Sequence, residues 1–198
     1  MSMGRTKTIS DEALLEAARA VFVRDGASGS TAEIASLAGV SEATLFKRFA
    51  TKAALFVAAL APPQVDAAAI VAEADAAADP HQAMIILGMR VLDHFRAALP
   101  LALPLISNPL IGPEGLRQHF GRSAADLLTE AIAAYFADQA RRGRMGAGDP
   151  RAAAVTLIAC VHSIAQFEVM GMHPAVPAAG VRSLLDILWT GMKPEAGA

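Results

Sequence analysis

Cysteine occurs once in the chain, as Cys160. A lone thiol excludes an internal disulfide and suits a reducing compartment; in the context IACV it reads as a buried, inert side chain rather than an oxidant sensor. Strand-type runs rich in Val, Ile, Thr and Tyr are essentially missing, which leaves little from which to build a sheet. No unbroken apolar run reaches about 18–20 residues, so no membrane span is expected. The N-terminus MSMGRTKTISDE lacks the apolar stretch of a signal peptide, and a cytoplasmic location follows. Metal-ligand spacing is missing too, because His81, His94, His119, His162 and His173 are scattered. With no P-loop, G-x-S-x-G or H-E-x-x-H pattern, neither a metal, another cofactor nor an enzyme activity is expected.

What the chain does hold is alanine. Apolar residues make up 54 % of its 198 positions and charged residues 18 %, a balance that favours helix. The length allows one large domain or two small ones with an ample core, and the expected fold class is all-α. A net charge of −2 argues by itself against a nucleic-acid partner. The distribution is uneven, however: residues 1–52 carry +1 and the remainder −3. That asymmetry is small, so motifs must decide.

One stretch organises the rest. Ser30 and Glu33 have the S-x-x-E form of a capping box, so a helix can begin at Thr31. Ile34, Ala35 and Ala38 repeat at helical spacing until Gly39, where a residue without Cβ can end the helix in the left-handed region. Ser41 then caps a second short helix, and Val40 is placed to staple onto Leu45. Helix, glycine turn and helix make a helix-turn-helix unit, whose second member enters the major groove of DNA. The expected core of this unit is Ile34, Leu37, Val40, Leu45 and Phe49. A preceding helix, capped by Ser10 and ended by Gly26, braces it through Leu14, Ala17, Val21 and Phe22.

The pattern T-x-x-I-A-x-x-A-G-V-S-x-x-T-L-F-x-x-F-x-x-K, from Thr31 to Lys52, resembles the DNA-binding signature of the tetracycline-repressor (TetR) family. It fixes many positions at set spacings, which makes it far more specific than a short glycine motif. Three positions depart from it. Phe46 stands where the family most often has Tyr, and Ala54 replaces an acidic residue. Glu42 puts a negative charge early in the reading helix, where it either accepts from a cytosine amino group or selects against wrong contacts. Thr31, Ser41, Glu42, Ala43, Thr44, Phe46, Lys47, Arg48 and Lys52 are the expected DNA contacts. Lys52 sits in the first turn of the next helix, where free N–H groups also favour a phosphate. Arg5 and Lys7 lie in a polar tail that either reaches the duplex or is a disordered end.

Beyond residue 52 the sequence reads as a second, helical domain, so the expected division is 1–51 for DNA binding and 52–198 for effector binding and dimerisation. Pro62-Pro63 interrupts the first helix. Asp79-Pro80 opens another, with Met84, Leu87, Val91 and Phe95 on one face beside Gly88. Pro100, Pro104, Pro109 and Pro113 should limit the apolar segment that follows to short turns. A single helix is expected over about Gly115–Arg142, then one from Asp149-Pro150 to about Met170, and a last one over about Val176–Met192. The spacing R-x-G-R-x(4)-D-P-R-A resembles the same family, which implies that the last two helices, residues 149–192, pair with a second copy.

A short reading helix spans few base pairs, so twofold pairing and a palindromic double-stranded DNA operator are expected. The helices between hold an apolar lining with sparse polar anchors, which suits either a core or a site for a small, mostly apolar effector. Met84, Phe95, Leu99, Leu103, Phe120, Phe136, His162, Gln166, Phe167 and Met170 are the candidates for that site. His162 and Gln166, four apart, share a helical face; they could anchor a ligand's polar end or hydrogen-bond across a dimer interface. A DNA-binding regulator, expected to be a repressor, is thus the leading reading. A helical ligand-binding dimer that has lost DNA binding, or a small-molecule enzyme, are the rivals.

Overall fold

The computed structural model describes residues 9–109, 111–146, 148–173 and 175–193, so Arg5 and Lys7 of the N-terminal tail lie outside the described residues. Among the described residues there are helices and turns and no strand. The chain divides into two compact units: Met1–Pro62 with Pro100–His119, and Pro63–Leu99 with Phe120–Ala198.

The first unit begins with α1 (Asp11–Asp25). Ser10 caps it by accepting from the Ala13 N–H at 3.2 Å, and acidic Asp11 and Glu12 occupy the first turn, where the helix dipole favours them. A single 3₁₀ turn, Gly26–Ser28, leads to α2 (Thr31–Leu37), α3 (Glu42–Arg48) and α4 (Lys52–Ala59). Leu14, Ala18, Val21 and Phe22 of α1 are fully covered, as are Ile34, Leu45, Leu55, Ala59 and Leu60. Phe22 meets Phe56 edge to face, with ring centroids 5.0 Å apart. That contact shows why α4 groups with the helices before it, whereas the sequence division falls at 51/52. Gly29 is required by packing: a Cβ there would lie 2.8 Å from Val21 Cγ1. Leu37 corrects the expected core. It is the last residue of α2 and 60 % exposed, while Ile34 and Ala35 carry the buried face.

The second unit holds α5 (Ala67–Asp75), most of α6 (Pro80–Ile106), α8 (Ala124–Arg141), α9 (Pro150–Val169) and α10 (Ala178–Thr190). Their buried faces form one cluster around Met84, Leu87, Leu92, Leu128, Ile132, Leu157 and Leu185. At Gly88 the side chain of Leu185 fills the space a Cβ would need, with its Cδ2 only 2.4 Å away. Arg96 of α6 forks onto Glu168 of α9 with two bonds of 2.8 Å and donates a third to the Val176 carbonyl, while the Val176 N–H donates to Glu168.

Two expectations about helix boundaries are overturned. α6 runs through Pro100 and Pro104 to Ile106 instead of breaking up. The two prolines are one turn apart, so the N–H groups they lack fall on one side and the opposite ladder stays intact. The Ser107 hydroxyl, donating to the Leu103 carbonyl at 2.7 Å, closes the end. The single helix expected over 115–142 is instead α7 (Gly112–Phe120) and α8. Gly121, at φ 78°, turns the chain out of the helix, and Ser123 restarts it by accepting from the Asp126 N–H at 3.1 Å.

Among the described residues, α9 is long and apolar enough to cross a membrane by length and composition, with a mean hydropathy of 1.6. Its residues explain this without a bilayer. Ala154, Leu157, Ile158, Val161 and Ala165 face the core, and a second face carries Val155, Ala159 and Phe167 exposed. A helix apolar on two sides has a hydropathy above that of a one-sided surface helix.

Candidate nucleic-acid interface

The turn between α2 and α3 follows from four residues. Gly39 adopts φ 69°, and the Val40 N–H reaches back to the Ala35 carbonyl at 2.9 Å. Ser41, in the extended region, then accepts from the Thr44 N–H at 3.2 Å. Leu45 anchors α3 by full burial, which leaves Glu42, Ala43, Phe46, Lys47 and Arg48 exposed and Thr44 half-buried. Thr51 caps α4 by accepting from the Ala54 N–H at 3.0 Å, so Lys52 is the first residue of that helix.

The capping box of α2 is only half made. Ser30 accepts from the Glu33 N–H at 3.3 Å, but the Glu33 carboxylate is taken by Arg24 at 3.0 and 2.9 Å. Three further contacts organise the polar residues of this surface. The Thr31 hydroxyl donates to Glu42 Oε1 at 2.6 Å, and the Ser41 and Thr44 hydroxyls lie 3.0 Å apart. Arg48 Nη1 donates to Asp11 Oδ1 at 2.6 Å, tying the end of α3 to the start of α1. Lys47 and Lys52 have no carboxylate partner among the described residues. The Thr31–Glu42 and Arg48–Asp11 pairings are not legible from residue order alone, since each joins separate helices.

The candidate effector residues scatter. Met84, Phe95, Leu99 and Phe136 are buried in the second unit, and Leu103 and Phe120 are half-buried. His162 and Gln166 are half-buried on α9, whereas Phe167 and Met170 are 39 % and 55 % exposed. Phe95 stands edge-on to the His162 ring at 4.8 Å and to the His94 ring at 5.6 Å. Burial holds both imidazoles below their ordinary pKa, and His94 Nε2 is buried without a partner. Burial likewise pushes the Cys160 thiol up, away from the reactive thiolate. An open groove of about 720 Å³ lies between α5 and α8, with Val65, Ala67, Leu127 and Ala131 on its floor and Gln64, Asp66 and Glu130 as its polar groups. Sequence reasoning missed it. Its apolar residues are mostly alanine, which composition alone cannot assign to a cavity.

A short helix exposed on one side, pinned by one buried leucine and edged with cations, defines a helix-turn-helix DNA-binding protein. Residues 14–59 match the family described as bacterial regulatory proteins, tetR family. The match covers the helix-turn-helix portion, so residues 14–59 are a DNA-binding domain of the tetR type. The fold of the chain is shared by several solved structures. One is a protein of Mesorhizobium loti assigned to the TetR-family transcriptional regulators (TM-score 0.69, 21 % identity, 92 % of this chain and 96 % of that one). Another is NalD, the secondary repressor of the MexAB-OprM multidrug efflux pump in Pseudomonas aeruginosa (TM-score 0.66, 20 % identity, 94 % and 96 %). A third is the TetR transcriptional regulator SCO0520 of Streptomyces coelicolor (TM-score 0.54, 26 % identity, 94 % and 100 %). No curated protein sequence matches the chain.

Proposed function

We propose that the chain is a cytoplasmic repressor that grips a palindromic operator as a homodimer and is released by a small, mostly apolar effector, with no catalytic role. The observation that carries the DNA half is the exposure of α3 together with the cations Lys47, Arg48 and Lys52 at its end and beyond. Ser41, Glu42, Ala43, Thr44 and Phe46 complete the contact surface, with Thr31 hydrogen-bonded to Glu42 beside them. Two copies are needed because each good base contact contributes only about 1–3 kcal/mol of discrimination.

Support for the dimer comes from the uncovered face of residues 149–192. Val155, Phe167, Met170, Leu184 and Ile187 are exposed large apolar side chains on or beside α9 and α10, with Ile187 at 69 %. Such a patch on the last two helices suits an isologous interface. The effector would bind within residues 52–198, in the groove between α5 and α8 or among the apolar candidates from Met84 to Met170. For release, it must bind the DNA-incompetent state more tightly than the competent one. An electrophoretic shift on the promoter upstream of its own gene, weakening with salt, tests the reading. A ligand-binding dimer without DNA activity would give no shift at any salt concentration.

A further inference from the structure

The Thr31–Glu42 bond fixes what the start of α3 can read. Glu42 is exposed and is the first residue of α3, yet its carboxylate is not free to wander. Oε1 accepts the Thr31 hydroxyl proton at 2.6 Å, across the turn from α2. Oε2 has no partner among the described residues. The neighbouring groups offer less: the Ser41 and Thr44 hydroxyls bond to each other at 3.0 Å, which leaves one neutral O–H between them, and Ala43 has no polar side-chain atom. Along the first turn of α3, therefore, the Glu42 carboxylate is the charged acceptor held ready for a base edge.

An ionised carboxylate is an acceptor only. Guanine presents N7 and O6 acceptors in the major groove and thymine presents O4, so both face Glu42 with like polarity. Adenine offers its N6 amino group, but with the N7 acceptor beside it. Cytosine presents an N4 amino donor with no acceptor of its own beside it, the neighbouring O6 belonging to the paired guanine. We infer that Glu42, oriented by Thr31, is a specificity-determining residue that selects a C·G pair at one fixed position of each half-site. Thr31 is the positioning residue, acting through Glu42 rather than on the duplex. The inference rests on the operator-binding reading above and adds the identity of one base pair to it.

Selection of bound sites from a randomised duplex pool, using the full-length protein and reading the enriched sequences, tests it. The native chain should enrich cytosine at one position per half-site, by roughly ten- to a hundredfold over the other bases. Glu42→Ala should flatten that position and leave the others intact. Glu42→Gln should move the preference to adenine, whose N6 and N7 match a carboxamide. Thr31→Val, which keeps the shape and removes the hydroxyl, should blunt the cytosine preference without moving it. A bond that merely ties α2 to α3 would alter thermal stability and not base preference, so unchanged motifs in all three variants would overturn the assignment. Uniform weakening on every sequence would overturn it as well, since that marks a phosphate contact. A pool from which the native chain enriches nothing would overturn the operator-binding reading itself, and this assignment with it.

Discussion

Arg48 already has a partner in the structure, which bears on the operator contact proposed for it. It is held by Asp11 at 2.6 Å before any duplex arrives, so a phosphate must displace a carboxylate to reach it. Lys52 has no such competitor, and its place at the first position of α4 adds free N–H groups to its charge. Lys52→Ala should therefore weaken binding to all sequences alike and reduce the steepness of the salt dependence by about one. Arg48→Ala should weaken binding less, because the native contact already includes the loss of Asp11. Titration of both variants across salt concentrations checks the order. Gly88 gives a prediction about stability. With Leu185 Cδ2 at 2.4 Å from the position of a Cβ, and Leu185 itself fully buried, Gly88→Ala should destabilise the second unit by about 1–3 kcal/mol. Thermal unfolding would show it. The helical period put Gly88 on an apolar face, but whether a neighbour or a void lay opposite was beyond the sequence.

Elements were legible where short-range chemistry sets them. Ser10, Ser30, Ser41, Thr51 and Asp149 all cap helices where their spacing predicts, because a side-chain acceptor two or three residues ahead of a free N–H is a local fact. The prolines misled because the sequence states what each one removes, but not that Pro100 and Pro104 share a face and leave the other side whole. Gly121 misled for the opposite reason: the apolar period continued past it, while its left-handed backbone stopped the helix. Ser123→Ala should cost about 1 kcal/mol by removing the cap that restarts α8; urea unfolding of the variant measures it. The capping box at Glu33 was halved by a tertiary partner, since Arg24 is nine residues away from the carboxylate it captures, and Leu37 stayed uncovered for want of one.

Across the whole molecule, acid should be the destabilising direction. His94 and His162 titrate below their ordinary value in the folded chain, so the unfolded state binds protons first. Their contribution is fully present above about pH 6.5 and is lost as the pH falls from there. Arg96, and to a smaller degree the Val176 N–H, lowers Glu168, whose contribution is lost at still lower pH as the carboxylate is protonated. The melting temperature should thus fall in two stages on acidification. His94→Gln should shrink the upper stage to the share of His162, and Glu168→Gln should flatten the lower. The exposed face of α9 and α10 makes the other prediction at this scale. Val155→Glu with Ile187→Glu should give a monomer by sedimentation and abolish specific operator binding while leaving helical content unchanged. The presence of such a face followed from the apolar final helices; which residues stay uncovered required the packing of Leu157, Val161 and Leu185 inward. The fork of Arg96 on Glu168 bears on the same face. Because it fastens both the carbonyl and the N–H of Val176, the connection into α10 is set within one chain. Two copies would meet with that stretch already immobilised, so association forfeits less freedom there and recruits a surface of fixed shape.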